Sequence, residues 1–254
     1  YYGRHVGGVV GRLSGDLEKA YNNGAIYNGF TTTGGVVGWW VDGDIANVFN
    51  TGNITVVNNS SNGNKSEVGG IVGAAEFSNG RSLKNAYNLG TIRSFQQGND
   101  GNVLGGIIGR INNYYGGYTN TDSFTIKNVY TLGNLYVNKN GVTKSLYGEV
   151  HPDAKDKIDV ENAYYIKPEK NSGFLDLTTS GGMNSNKAIE YDDRTKQNEY
   201  KYTDSKGEHS LNFSNQNGNS IENSENSWRI YEGSTTPILN AFIPNTEKYF
   251  STHT

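Results

Sequence analysis

The side chains best suited to catalysis or metal binding are few in this sequence and are not arranged for either. It has four histidines and no cysteine. No histidine lies in an HExxH zinc motif, and no serine lies in a GxSxG nucleophile motif. Without cysteine the chain has no thiol nucleophile, disulfide or cysteine-bound zinc. The sequence therefore predicts no catalytic residue, no metal site and no cofactor, and a protein that is not an enzyme.

Closely spaced carboxylates leave one catalytic alternative open. The groups are Asp42 with Asp44, Asp153 with Asp156 and Asp159, and Asp192 with Asp193. A β-helical polysaccharide-active enzyme would need carboxylates from neighbouring layers to converge at about 5–9.5 Å. Aspartates at such spacing are more typical of turns and loops, so binding is favoured over catalysis.

Arginine and tryptophan at one repeated position favour ligand binding. Directly after the last glycine of a recurring Gly-rich motif come Arg12, Trp39, Ala74 and Arg110. If successive copies stack about 4.8 Å apart, Arg12 and Trp39 lie side by side on the outer wall. An aromatic face can stack on a sugar ring and a guanidinium can hold a carboxylate. The pair predicts a glycan site suited to a carboxylated sugar such as sialic acid; alternatively, Trp39 packs beneath a loop and Arg12 only faces solvent.

A tyrosine-rich insertion at 112–124 is the second candidate binding surface. Asn112 is followed by Tyr114, Tyr115 and Tyr118 among glycines and asparagines. Such a mixture combines rigid aromatic anchors with adaptable polar contacts. Alternatively, these rings cover the flank of the molecule and shield its core.

Sequons supply candidate sites of N-glycosylation, most of them between residues 53 and 66. The asparagines concerned are Asn53, Asn58, Asn59, Asn64 and Asn212.

The elements that position these residues come from an internal repeat. A Gly-rich motif recurs as GGVVG at 7–11 and 34–38, GGIVG at 69–73 and GGIIG at 105–109. A second motif follows each copy, as LEKAYNNGAI, IANVFNTGNI, LKNAYNLGTI and IKNVYTLGNL, and a degenerate fifth unit reads SLYGEV and then VENAYYIK. The interval between the motifs grows from 16 residues (Gly8 to Gly24) to 27 (Gly106 to Gly133). We therefore expect constant strands, with loops of variable length on one side of each coil.

Stacking of the copies predicts columns of like side chains. The aromatic column would contain Tyr21, Phe49, Tyr87, Tyr130 and Tyr164. An asparagine ladder would contain Asn47, Asn85, Asn128 and Asn162, with Lys19 at that position in the first copy. Strand alternation in the first Gly-rich motif places Val9, Gly11 and Leu13 on one face and Val10 and Arg12 on the other.

The repeat pattern fades after about residue 170. We therefore divide the chain into a repeat β-helix of about five coils at 1–170 and a C-terminal part of the same solenoid at 171–254. Residues 199–213 alternate around a DSKG turn, which predicts a β-hairpin. Residues 227–243, which include Trp228, become apolar again and predict a cap over the last coil, whereas Trp40 is assigned to the core.

Composition agrees with a solenoid. The 34 glycines and 18 tyrosines leave little aliphatic material for a globular core, but a solenoid needs only a thin core in each coil. A net charge of −3 argues against a nucleic-acid partner. No apolar stretch reaches the roughly 18 residues that span a bilayer, so we expect no membrane insertion. Because the chain begins with Tyr1 rather than methionine, we expect a piece of a longer polypeptide.

The two motifs resemble the GLUG repeat of bacterial surface proteins. The resemblance is carried by GGVVG, GGIVG and GGIIG, each followed by a NAYNxG-like element, over roughly residues 1–166. The segment WRIYEGSTTPILNAF at 228–242 resembles the closing element of high-molecular-weight adhesins of the two-partner secretion family, which also contains filamentous-haemagglutinin-like proteins.

This resemblance implies an all-β, right-handed parallel β-helix on the bacterial outer surface. It implies secretion through an outer-membrane partner and attachment to host glycans or glycoproteins, and we expect a monomer. A stalk or spacer within a large exoprotein is the alternative function.

Overall fold

The computed structural model describes residues 4–29, 32–58, 65–77, 80–96, 101–112, 123–137, 141–166, 186–189, 191–205, 207–211, 213, 228–230 and 233–242. Within these ranges the repeats wind into five coils of short strands. No helix among the described residues is long and apolar enough to cross a membrane. The described helical segments are 3-10 turns at Pro152–Lys157, Tyr191–Asp193, Gln197–Tyr200 and Asn240–Phe242.

Each of the first four coils contributes four strands. Coil 1 has β1 (His5–Gly7), β2 (Val10–Ser14), β3 (Leu17–Asn22) and β4 (Ile26–Asn28). Coil 2 has β5 (Thr32–Gly34), β6 (Val37–Asp42), β7 (Ile45–Asn50) and β8 (Ile54–Asn58). Coil 3 has β9 (Glu67–Gly69), β10 (Val72–Glu76), β11 (Ser82–Asn88) and β12 (Ile92–Gln96). Coil 4 has β13 (Val103–Gly105), β14 (Ile108–Asn112), β15 (Phe124–Thr131) and β16 (Leu135–Val137).

The fifth coil and the C-terminal part supply the remaining strands. Coil 5 has β17 (Val142–Lys144), β18 (Tyr147–Val150) and β19 (Ile158–Ile166). The strands that follow are β20 (Asn186–Ile189), β21 (Lys201–Asp204), β22 (Gly207–Ser210), β23 (Trp228–Arg229) and β24 (Ile238–Leu239).

Strands at the same place in successive coils pair in parallel and form four sheets. Sheet A contains β1, β5, β9, β13 and β17, and sheet B contains β2, β6, β10, β14 and β18. Sheet C contains β3, β7, β11, β15, β19 and β20, and sheet D contains β4, β8, β12 and β16. The repeated residues stand in register, since Gly7 pairs with Gly34, Gly34 with Gly69, and Gly69 with Gly105. The prediction of a parallel β-helix is confirmed.

The double glycine forms the corner between sheets A and B. A Cβ atom on Gly34 would lie 1.9 Å from the carbonyl oxygen of Val37, and one on Gly35 would lie 2.0 Å from that of Gly70. Both distances are far below any real contact. The corner therefore closes only where these positions have no side chain, which explains why the GG pair recurs.

Strand alternation within the Gly-rich motif is wrong as predicted. Val10 and Leu13, which alternation placed on opposite faces, both pack against the same core, while Val9 is 46% exposed. The ladder between β6 and β10 pairs the residues on either side of Gly38 but not Gly38 itself. Because the backbone leaves the regular pleat at this glycine, residues three apart face the same side.

The interior of the coils is a thin column of branched aliphatic side chains. Val37, Val72 and Ile108 occupy one position in successive coils, and all three are completely buried. Burying a Val or Ile side chain contributes about 1.5–3 kcal/mol, so each added coil brings its own stabilisation. Trp40, also completely buried, belongs to this core as predicted.

The aromatic column on the outer face of sheet C is confirmed. Tyr21, Phe49, Tyr87 and Tyr130 stack with successive ring centroids 4.9, 4.8 and 5.0 Å apart and nearly parallel planes. Tyr164 continues the column, since it pairs with Tyr130 in register.

The asparagine ladder beside this column is confirmed as well. Each amide nitrogen donates to the amide oxygen of the preceding coil, from Asn162 to Asn128 (2.7 Å), from Asn128 to Asn85 (3.1 Å) and from Asn85 to Asn47 (3.2 Å). All four rungs have φ between 53° and 55°, and Lys19 adopts φ 56° at the same position. A second ladder, which was not predicted from the sequence, joins Asn22, Asn50 and Asn88. It lies where each sheet C strand ends and the chain turns toward sheet D.

The C-terminal part forms the predicted hairpin but differs from a simple end cap. β21 and β22 pair in antiparallel fashion, from Lys201 with Ser210 to Asp204 with Gly207, and β20 extends sheet C beyond β19. The rest lies along the flank, where Trp228 contacts Tyr87 and Tyr130. Phe242 contacts Phe49 in coil 2. The segment therefore covers the aromatic column from the side.

Candidate functional site

A groove runs along the outside of the corner between sheets A and B. One wall is the sheet A register of His5, Thr32 and Glu67. The other wall is the sheet B register of Arg12, Trp39, Ala74, Arg110 and Glu149. Between them lies a cavity of about 290 Å³, lined by Arg4, His5, Thr32, Trp39, Glu67, Ala74 and Asn112.

The cavity borders a small residue that stands between two large ones in its sheet. Ala74 lies between Trp39 and Arg110 in the register of sheet B. At about 4.8 Å per layer, Trp39 and Arg110 belong to layers ~9.6 Å apart, and Ala74 between them is only 2% exposed. We name the cavity the Ala74 notch; Trp39, Glu67 and Asn112 are among the side chains that line it.

Neighbouring side chains hold Trp39 in place. The Arg12 guanidinium lies 5.0 Å from the centroid of its ring, as a cation–π contact. The His5 ring lies 4.5 Å away at a tilt of 34°, and Trp39 Nε1 donates to Glu76 Oε1 at 3.1 Å. The predicted proximity of Arg12 and Trp39 is confirmed. Since these contacts fix the indole, it offers a pre-positioned surface beside the Ala74 notch.

Glu67, which lines the cavity, is paired with an arginine that lies between two carboxylates. Arg110 Nη1 donates to Glu67 Oε1 at 3.0 Å, and its Nε lies 3.8 Å from Glu149 Oε2. Burial raises the pKa of Glu67 above its usual 4.5, an effect that the nearby Arg110 only partly offsets. Glu67 is therefore a buried acceptor whose charge is incompletely compensated.

The opposite end of the groove is electropositive. Burial lowers the pKa of His5 below its usual 6.5, and the charges of Arg12 and Arg4 lower it further. The His5 imidazole is therefore neutral at physiological pH, next to two guanidinium groups. The groove thus has a positive end and an end rich in carboxylate oxygens.

Two polar atoms around the groove, His5 Nδ1 and Arg110 Nε, are buried and have no hydrogen-bond partner among the described residues. Asn112 is only 3% exposed, and a hydrogen bond from its amide to Glu67 helps to lower the pKa of that carboxyl. Unsatisfied buried polar groups are costly, so His5 Nδ1, which belongs to the cavity lining, favours a polar ligand there.

The structure brings together four of the residues singled out in the sequence, Arg12, Trp39, Arg110 and Asn112, around this groove. Tyr114, Tyr115 and Tyr118 lie outside the described residues. Sequence reasoning missed His5 and Glu67, which reach the groove from sheet A. Their signal was positional: His5 and Glu67 each stand two residues before the Gly-Gly pair.

The aspartate groups do not converge in the groove. Asp44 Oδ1 accepts from the Ser82 N–H at 2.8 Å, and Asp42 pairs with Arg81 at 3.3 Å, so both secure turns. Asp153, Asp156, Asp192 and Asp193 lie in 3-10 turns, and Asp159 lies in β19. No group of three or more potential metal ligands occurs among the described residues.

The described sequon asparagines differ in accessibility. Asn53 is exposed, and its side-chain oxygen accepts from the Thr91 N–H at 3.0 Å. Asn58 is completely buried and donates to Ser66 Oγ at 3.1 Å, so a transferase could reach that amide only before the coil folds. Asn59, Asn64 and Asn212 lie outside the described residues.

Comparison with known proteins gives one partial relationship. The chain is 34% identical over 122 residues to halomucin of Haloquadratum walsbyi. This match covers 43% of the present chain but only 1% of halomucin. No protein-family model matches the chain, and no solved structure matches it. The resemblance to the GLUG repeat therefore stays a prediction, and the chain is a parallel β-helix with partial similarity to halomucin.

Proposed function

We propose that this chain is the glycan-binding segment of a large extracellular surface protein, and that the sugar binds in the groove between sheets A and B. The observation that carries the proposal is the Ala74 notch, a cavity in which Trp39 is lined up with the polar side chains of Glu67 and Asn112. A sugar ring there stacks on the indole, while Glu67 and Asn112 serve its hydroxyls. The protein binds without catalysing a reaction.

The surface location is proposed from two independent likenesses. One is the partial similarity to halomucin, whose name describes a mucin. The other is the GLUG-like repeat, which supports an adhesin exported by two-partner secretion through an outer-membrane partner. Host glycans or glycoproteins are then the proposed partners.

The electrostatics of the groove support a carboxylated sugar. Arg4 and Arg12 make the environment of His5 positive, and a carboxylate bound there gains charge-assisted hydrogen bonds. The glycerol and ring hydroxyls of the same sugar would donate to Glu67 at the other end. A sialylated glycan combines both requirements.

A glycan array probed with the purified chain tests the proposal. Trp39→Ala removes the stacking surface, so binding should weaken by about tenfold or more, as for a central aromatic anchor. The matched control is Tyr27→Ala, because Tyr27 is 81% exposed on a different face, in sheet D; that variant should bind normally. Arg12→Ala should weaken binding to sialylated glycans more than to their desialylated forms.

Absence of binding to any glycan would instead favour a structural spacer. The feature that supports this second function is the uninterrupted register of five coils in sheets A and B. A spacer needs no groove, so Trp39→Ala and Arg12→Ala would then leave attachment of the parent protein unchanged.

A further inference from the structure

A second and larger cavity lies between the hairpin and the outer face of sheet C. Its volume is about 720 Å³, within the range of small-molecule sites. The sheet side is formed by Lys127, Glu161 and Asn162. The hairpin side is formed by Lys201, Tyr202, Thr203, Glu208, His209 and Ser210. We name it the hairpin cavity; it lies on a different face from the Ala74 notch.

The charges of the hairpin cavity balance. Lys127 forms an ion pair of 2.9 Å with Glu161, and Lys201 and Glu208 contribute one charge of each sign. Such a lining does not select for a net charge. It does offer donors and acceptors side by side, which matches sugar hydroxyls, because each hydroxyl both donates and accepts.

The aromatic part of the lining is one stacked pair of rings. The rings of Tyr202 and His209 stack with centroids 4.5 Å apart and planes inclined by 12°. The Tyr202 hydroxyl also accepts from the backbone N–H of Asn162 at 3.2 Å. One aromatic wall is therefore tied to the sheet on which the cavity rests.

The asparagine ladder ends at this cavity with an unused acceptor. Its hydrogen bonds all run in one direction, and at the first rung Asn47 Nδ2 points to Glu18 Oε1 at 3.5 Å. At the last rung, Asn162 is 6% exposed and its Oδ1 accepts no hydrogen bond from the described residues. Aligned amides polarise one another, so this terminal oxygen is a strengthened acceptor.

We propose that the hairpin cavity binds a neutral, hydroxyl-rich sugar whose hydroxyl donates to Asn162 Oδ1. The sugar occupies the space between the Lys127–Glu161 ion pair and the Tyr202–His209 wall. Because Asn162 Oδ1 has almost no accessible surface, the hydrogen bond between the Asn162 N–H and the Tyr202 hydroxyl opens on binding, and the Tyr202–His209 wall moves away from the sheet. This site is independent of the groove between sheets A and B.

Saturation-transfer NMR on the whole chain, with lactose, mannobiose and diacetylchitobiose as separate probes, tests the site. At least one probe should receive saturation and should move the ring signals of His209. Thr203→Trp fills the cavity from the hairpin and Glu208→Arg unbalances its charge. Each should weaken binding by about tenfold or more, since the first takes up the space of the sugar and the second gives the lining a net positive charge.

Trp39→Ala separates this site from the groove, since it should leave binding of these probes unchanged. The proposal is overturned if no probe moves the His209 signals, or if binding survives both hairpin variants. It is likewise overturned if Trp39→Ala, and not the hairpin variants, abolishes binding, because the sugar then lies in the Ala74 notch. Failure here leaves the glycan array result for the groove untouched.

Discussion

Glu67 shows how a buried charge is handled within the groove. Its carboxylate lies 3.0 Å from Arg110, yet its pKa is raised, because the loss of hydration outweighs the attraction. A ligand hydroxyl that donates to this carboxylate would replace part of the lost hydration. The residue is therefore better suited to accept from a ligand than to stabilise the fold.

The pH dependence of stability should reveal this cost. A raised pKa in the folded state means that Glu67 favours folding below about 4.5 and that this contribution is lost as the pH rises through the folded-state pKa. Relative to Glu67→Gln, which cannot titrate, the wild-type free energy of unfolding should therefore fall as the pH rises from acid to neutral. Urea unfolding across this range measures the difference. Glu208→Gln is the control, because it removes the same charge from an exposed position. Parallel curves for wild type and Glu67→Gln would contradict the assignment.

At the residue scale, the predictable part of the groove was the part carried by the repeat. Arg12, Trp39 and Arg110 follow the same glycine in different copies, so their common register followed from their spacing. His5 and Glu67 belong to two strands of another sheet, and they reach the cavity beside Trp39 only because the Gly-Gly corner folds sheet A against sheet B. No pattern of residue types specifies that angle.

The asparagine ladder is the element whose chemistry repeats most regularly. Asn tolerates positive φ better than other side chains, and the ladder places it at φ near 53° in four coils. Lys19 holds the same backbone conformation without that advantage. The first coil therefore contains local strain that the others avoid.

Lys19→Asn should stabilise the chain by about 1 kcal/mol, since the left-handed conformation costs most residues roughly 1–2 kcal/mol. The new amide would also stand next to Asn47 and could lengthen the ladder by one rung. Chemical denaturation measures the gain. Lys84→Asn is the matched control, because Lys84 neighbours the ladder but is not among the positive-φ residues. An equal gain in both variants would rule out backbone strain as the cause.

At the element scale, alternation succeeded in one place and failed in another. It correctly placed Trp39 and Trp40 on opposite sides, because β6 is regular beyond Gly38. It wrongly separated Val10 from Leu13, because the glycine between them breaks the pleat. Periodicity of two is reliable only where every residue of a strand joins the ladder.

Across the whole molecule, the C-terminal part ties the coils together from outside. Tyr200 contacts Tyr130 and Tyr164 near the last coils, and Phe242 contacts Tyr21 and Phe49 near the first. The chain therefore travels back along the axis after completing its last coil. Tyr130 is completely buried beneath it and donates its hydroxyl to the Pro237 carbonyl oxygen.

Alkaline pH should unfold the molecule, because folding buries several tyrosine hydroxyls that ionise more readily in water. Burial raises the pKa of Tyr130 well above 10 and that of Tyr147 to about 12. Stability is therefore complete below pH 10 and is lost as the pH rises toward the folded-state values. Tyrosinate absorbance and circular dichroism should change together for the buried rings, after the exposed tyrosines have titrated. Complete ionisation of all tyrosines with the β-sheet signal intact would contradict this expectation.

The overall architecture was predictable to the point where the repeat ends. Equivalent residues in successive copies had to stack, so parallel sheets and like-residue columns followed. The return path of the C-terminal part had no repeat to define it. The apolar residues at 227–243 indicated a buried segment, but such a segment can cover either the end or the side of a solenoid.

The shared register of the coils has a consequence for how such a molecule changes over generations. Each inner coil presents the same pattern of glycines, aliphatic residues and asparagines to the coil above and to the coil below. Recombination between two repeats could therefore insert a copied coil that finds matching surfaces on both sides. The molecule would lengthen by about 4.8 Å for each copy, and the new loop would be free to diverge because the stack does not depend on it.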